Sequence, residues 1–143
     1  MSKRILIVDD EPELIEIISL MFQKAQWQTE SAPNGLVALQ KMKIFSPDVI
    51  LSDIHMPEMD GLALLEELDW QGNSTPLIFL SSFGSRSYMV RAWGNGAFDF
   101  LDKPFNEKTM VQLAENAYLY GRDYVTAARR RYLKFNSTTR IAN

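Results

Sequence analysis

Short apolar runs alternate along this chain with segments whose apolar residues recur every three to four positions. Residues 4–8 are too short and too apolar for a surface helix, and predict a fully buried strand. Glu11-Pro12-Glu13 then opens a helix, since proline suits a first turn and acids favour a helix N-terminus. Leu14, Ile18 and Met21 give that helix an apolar face. Residues 27–32 predict a second strand. Pro33-Asn34-Gly35 breaks the chain, and Leu36, Leu39 and Met42 mark a second helix. The third strand covers residues 49–52, and a loop from Pro57 to Gly61 leads to a helix with Leu62, Leu65 and Leu68 on one face, ending near Gln71-Gly72-Asn73. Residues 77–80 form the fourth strand, 84–95 carry a short fourth helix, and 97–101 form the fifth strand. A last helix starts at the N-cap candidate Asn106 and continues through Met110, Leu113 and Ala117.

Five such strand–helix units within about 120 residues imply an α/β fold: a five-stranded parallel sheet with helices on both faces, doubly wound. In sheets of this kind ligands bind beyond the carboxyl ends of the strands. The polar residues that close the apolar runs therefore share one edge. Asp9-Asp10 follow Ile5–Val8, Asp53 follows Val49–Ser52, Ser81 follows Leu77–Leu80, and Lys103 follows Phe98–Asp102 and precedes Pro104.

Composition narrows the chemistry. The 143 residues suffice for one domain with a real core, and there is no cysteine, which excludes disulfides, thiolate metal sites and cysteine catalysis. No apolar run approaches the roughly 20 residues of a membrane helix, so no membrane association is expected. Met1-Ser2-Lys3-Arg4 leads into a run too short for a signal-peptide core, and a cytoplasmic protein is the default expectation. Charge is unevenly spread. Residues 1–120 hold 9 basic and 17 acidic side chains, whereas residues 121–143 hold 6 basic and 1 acidic.

Three carboxylates in one crevice repel each other and call for a compensating cation. A hard divalent ion such as Mg²⁺ takes oxygen ligands and is commonly held by one or two carboxylates together with phosphate oxygens. No His/Cys cluster competes for a softer metal. Lys103 and Ser81 then serve as donors to a phosphoryl group beside the metal, and Asp53 is the candidate nucleophile, forming an aspartyl phosphate.

These stretches resemble the receiver domain of two-component response regulators, of the chemotaxis-regulator type. The matching segments are Ile5–Glu11 (ILIVDDE), Ala32–Leu39 (APNGLVAL), Pro47–Leu62 (PDVILSDIHMPEMDGL), Pro76–Ser82 (PLIFLSS) and Gly96–Phe105 (GAFDFLDKPF). Each alone is weak; all five in order are a strong signal. The resemblance implies a flavodoxin-like sheet in order 2-1-3-4-5 and makes Asp53 the phosphoacceptor. It makes Asp10 a direct Mg²⁺ ligand, Asp9 a ligand through water, and the His55 carbonyl a further ligand. Ser81 and Lys103 would contact the phosphoryl oxygens, and the Lys103–Pro104 bond would be cis.

The resemblance also implies a switch in which Ser81 moves toward the phosphoryl group and Phe100 turns inward. Serine and phenylalanine stand where threonine and tyrosine are frequent, so the hydroxyl that could report the state is lost at Phe100. The two positions that tune phosphoryl lifetime hold the bulky His55 and Phe83, and slow self-dephosphorylation is expected. Met89 and Trp93 lie four apart on the fourth helix. With Phe100 and Leu113 they form the candidate partner face across helix 4, strand 5 and helix 5, although core packing explains a four-residue spacing equally well.

The expected donors are a sensor histidine kinase or a histidine phosphotransfer protein. The expected receiver of the signal is a downstream protein or output domain, with a homodimer also open and nucleic acid reached only through a further output module. The domain reading is a receiver over 1–120 and a basic extension over 121–143. Tyr124, Val125, Ala128 and Tyr132 continue the helical spacing, and Gly121 interrupts it at a cost of about 1 kcal/mol relative to alanine. Arg129-Arg130-Arg131 reads as a solvated basic helix end in preference to a contact for nucleic acid or an acidic surface. The tail is a dimerising helix, a linker or a frayed end. Two rival functions remain. A haloacid-dehalogenase-type phosphatase would place a second aspartate where His55 stands, which argues against it. A pure interaction module that has lost phosphorylation would not need all five site residues.

Overall fold

The computed structural model describes residues 2–82 and 85–142, with residues 85, 86 and 132–142 described by their backbone alone. Along the chain lie β1 (Arg4–Val8), α1 (Pro12–Lys24), β2 (Gln28–Ala32), α2 (Gly35–Phe45), β3 (Val49–Asp53), α3 (Gly61–Trp70), β4 (Leu77–Ser81), a 3₁₀ turn (Ser85–Tyr88), α4 (Met89–Gly94), β5 (Asp99–Asp102) and α5 (Glu107–Ala142). All four strand pairings are parallel, in the order β2-β1-β3-β4-β5.

Strand alternation divides the core between the two faces of the sheet. Leu6, Val8, Ile50, Leu77 and Phe79 pack with α2, α3 and α4. Ile5, Ile7, Val49, Leu51, Ile78 and Leu80 pack with α1 and α5 through Ile18, Phe22, Met110, Ala114 and Ala117. Caps fix the helix starts: the side chains of Asn34, Asp60 and Asn106 accept from the amides of Val37, Ala63 and Thr109. On α5, Glu115 takes the Lys3 ammonium at 2.6 Å and the Trp27 indole N–H at 3.1 Å, which ties this helix to the residues just before the first and second strands.

Several boundaries differ from the sequence expectation. Residues 27 and 97 do not enter strands. The Trp27 amide bonds to the Phe22 carbonyl and the Ala97 amide to the Ala92 carbonyl, so both are consumed in closing the preceding helix. Gln26 (φ 68°) and Gly96 (φ 90°) take the left-handed conformation that makes those closures. On α2 the buried face is Gly35, Ala38 and Met42, while Leu36 is 45% exposed. On α1 Ile18 and Phe22 are buried, with Leu14 and Met21 packed at the margin.

The last helix runs unbroken through Gly121, because the missing side chain is needed: a Cβ there would lie 2.5 Å from the Pro76 ring. Val125 is buried one turn on. Arg129, expected in solvent, is instead only 8% exposed. Its Nε donates to the Asn95 carbonyl (2.9 Å), its guanidinium also donates to the Asn73 carbonyl (2.7 Å), and Asp69 lies 3.2 Å away. Arg130 and Arg131 are exposed, as expected. The continuation expected at Tyr132 falls on a side chain outside the description. Among the described residues no helix is long and apolar enough to cross a membrane.

Candidate functional site

Every proposed site residue comes from the carboxyl end of a strand or the turn after it. Asp9 and Asp10 follow β1, Asp53 closes β3, Ser81 closes β4, and Lys103 follows β5. The local backbone fits that role. The Asp53 carboxylate accepts from the Ile54 amide (2.8 Å), and the buried Ser52 hydroxyl donates to the Asp53 carbonyl (2.8 Å). The turn after Asp53 closes when the Gly61 amide bonds to the Ile54 carbonyl at 2.8 Å. A Cβ at Gly61 would strike the Asp53 carbonyl, so the turn needs glycine at that point. The Lys103–Pro104 peptide is cis.

Asp9, Asp10 and Asp53 each present an oxygen within 4.8 Å of the others. Asp9 is fully buried, Asp53 half-buried and Asp10 exposed. The Asp9 carboxylate accepts a bond from the Glu11 amide at 2.9 Å, and its other oxygen is buried with no hydrogen-bond partner among the described residues. Lys103 Nζ lies 3.5 Å from Asp53 and 3.9 Å from Asp9. The longer separation is no hydrogen bond. Burial is the main cause that pushes the Asp9 carboxyl up to about 6; the Glu11 amide opposes it, the Asp53 charge reinforces it, and Lys103 opposes it again. Among the described residues one lysine stands against three carboxylates, which leaves excess negative charge, and an orphaned buried oxygen faces it. Such a donor set, oxygen only and under-compensated, fits a hard divalent cation.

Two of the expected residues take positions that the sequence did not suggest. Ser81 is 6% exposed, and its hydroxyl donates to the Asp102 carboxylate at 2.7 Å. Phe100 is half-buried, stacked on Phe79 with ring centroids 5.3 Å apart and set edge-on against Trp93 at 5.2 Å. The His55 side chain is exposed and its ring meets Tyr88 edge-on at 5.2 Å. Phe83 lies outside the described residues. Of the candidate partner face, Trp93 and Phe100 touch, Trp93 is 37% exposed and Met89 is half-buried. Leu113 packs against the cluster on the opposite side of the sheet.

Asp102 is the site residue that the sequence reading missed. It had a signal: like Asp53, it is a carboxylate closing an apolar strand, directly before Lys103.

Comparison with known proteins agrees with this arrangement. The model of the response regulator receiver domain matches residues 5–115. The regulatory protein AtoC of Escherichia coli (strain K12) is 41% identical over 114 residues, which are 80% of this chain and 25% of AtoC. The chemotaxis protein CheY of Bacillus subtilis (strain 168) is 36% identical over 113 residues, 78% of this chain and 94% of CheY. The structure of the chemotaxis response regulator CheY4 of Vibrio cholerae superposes with a TM-score of 0.74 at 30% identity, covering 81% of this chain and 98% of that one. This chain thus spans about a quarter of one relative and nearly all of another. With five parallel strands in the order 2-1-3-4-5 and a family match over residues 5–115, the chain belongs to the receiver domains of two-component response regulators.

Proposed function

We propose that this receiver takes a phosphoryl group onto Asp53 from a phosphohistidine on a sensor kinase or phosphotransfer protein, and that the modified state changes binding to a partner. The observation that carries this reading is the meeting of Asp9, Asp10 and Asp53 with Lys103 at one sheet edge. A carboxylate oxygen of Asp53 attacks phosphorus as the nitrogen–phosphorus bond breaks. The imidazole leaves with the bonding pair, and the phosphoryl becomes an acyl phosphate. Lys103 donates to a phosphoryl oxygen, having only a 3.5 Å contact with Asp53 to give up. When bound, Mg²⁺ supplies the positive charge that lets carboxylates and phosphoryl oxygens share the crevice. Asp10 and Asp53 would hold it directly, with the His55 carbonyl, and Asp9 through water. Because the protein mainly positions groups here, the transfer is catalysed by the receiver's own residues rather than by a turnover enzyme.

The output follows from Ser81 and Phe100. Ser81 swings to the phosphoryl group, Phe100 moves inward behind it, and the surface of Met89, Trp93 and Phe100 changes shape for a downstream protein, an output domain or a second copy; Leu113, on the other side of the sheet, stands apart from it. Residues 121–142 continue α5 as a basic helical extension available to such a partner.

The test is incubation with acetyl phosphate and Mg²⁺, followed by trapping of the acyl phosphate and mass spectrometry. The wild-type chain acquires one phosphoryl group on Asp53, lost on treatment with hydroxylamine or on chelation of the metal before labelling. Asp53→Asn reduces labelling to background, and unchanged labelling in that variant overturns the assignment.

A further inference from the structure

We infer that Asp102 is a positioning residue that holds the Ser81 hydroxyl away from the phosphoryl site and so sets how readily the receiver switches; this rests on the phosphoacceptor reading of Asp53. Ser81 and Asp102 close adjacent parallel strands and are register partners. The strand on the other side of β4 is β3, which ends in Asp53 opposite Leu80. The Ser81 hydroxyl therefore stands on the strand between two acids, and it bonds to Asp102 at 2.7 Å.

A serine hydroxyl has one proton to donate. It can serve Asp102 or a phosphoryl oxygen, not both. The bond to Asp102 is short and charge-assisted, which places it among the stronger hydrogen bonds. Asp102 is exposed, so water takes over its solvation once Ser81 leaves. That keeps the hold modest and reversible.

The same strand pair carries Phe79 opposite Phe100, two residues earlier in each strand. Residues two apart in a strand share a face. Phe79, Ser81, Phe100 and Asp102 thus form one quartet, with the two switch residues on its diagonal. The stacked Phe79–Phe100 pair and the Ser81–Asp102 bond are the two rungs that a switch must rearrange together.

The experiment titrates beryllofluoride, a phosphoryl mimic, into the full chain at saturating Mg²⁺ and follows bound fluoride by ¹⁹F NMR. Asp102→Ala binds about three- to tenfold more tightly than wild type, the span expected for losing one competing, partly solvated hydrogen bond to a charged group. Asp102→Asn keeps an acceptor without its charge and falls between. In the Ser81→Ala background the Asp102→Ala gain disappears, because Asp102 acts through that hydroxyl. No gain in Asp102→Ala, or an equal gain when Ser81 is already alanine, overturns the inference; the second result would mean that charge removal alone is responsible. A wild-type chain that takes up no beryllofluoride overturns the phosphoacceptor reading, and this inference with it.

Discussion

Asp9 is fully buried, and one of its two oxygens has no hydrogen-bond partner among the described residues. Burial favours the neutral acid, so the folded chain holds this proton up to about pH 6, whereas an unfolded aspartate releases it near 3.8. Between those values the folded state binds more protons than the unfolded one. Stability without metal therefore falls as pH rises from about 4 to about 6, and the penalty is full above that window. Asp9→Asn keeps the oxygen that accepts from the Glu11 amide and removes the charge. In metal-free buffer at pH 7 it stabilises the fold by about 1–3 kcal/mol, and the difference closes near pH 4. Urea denaturation in chelator at the two pH values checks this, and destabilisation at pH 7 would show that Asp9 is not held as a desolvated acid.

At the scale of elements, α5 shows packing deciding against propensity. Alanine at position 121 would gain about 1 kcal/mol of helix propensity. Its Cβ would also lie 2.5 Å from Pro76, whose carbonyl accepts from the Ile50 amide on β3 and whose ring is rigid. Overpacking of that kind costs about 1–3 kcal/mol and more where the neighbour cannot yield. Gly121→Ala is thus expected to destabilise by about 1–2 kcal/mol net, read from its urea midpoint. A stabilised variant would mean that the helix is not seated on Pro76. Nothing in the local sequence separates a glycine that breaks a helix from one that lets it dock, and nothing marks Arg129 for burial, because both depend on residues more than 30 positions away. The apolar runs were legible for the opposite reason: strands buried on both faces need no partner to declare themselves. The second helix was legible from Leu36, Leu39 and Met42, but its phase was not: GLVALQKMKIF is apolar on several sides, and the small Gly35 and Ala38 are buried against the sheet with Met42 while Leu36 faces out. Strand starts shifted where helix closure claimed the amides of Trp27 and Ala97, a consequence of a left-handed Gln26 in one case that the residue type does not announce. The acidic edge was readable since each member closes an apolar run. The Ser81–Asp102 bond was not, since it requires the register of two strands 21 residues apart.

Across the whole molecule, the two core layers leave the strand ends as the place where charge collects, and among the described residues Lys103 is the basic side chain paired with those charges. A cation bound at that edge is therefore expected to stabilise the fold. An ion that binds only the folded state adds stability in proportion to the logarithm of its saturation, about 1.4 kcal/mol at ten times its dissociation constant. For a domain of this length that corresponds to a rise in Tm of about 3–6 °C. The body also carries a broad acidic excess, 9 basic against 17 acidic side chains over residues 1–120, and any salt screens that repulsion. Site binding and screening separate in one experiment. At matched ionic strength MgCl₂ raises Tm by the stated amount over NaCl, chelator removes the difference, and Asp10→Asn largely abolishes it while leaving the response to NaCl unchanged. Equal melting temperatures in the two salts would mean that the acidic edge feels only the ionic atmosphere, and that Asp9, Asp10 and Asp53 do not act together as a site.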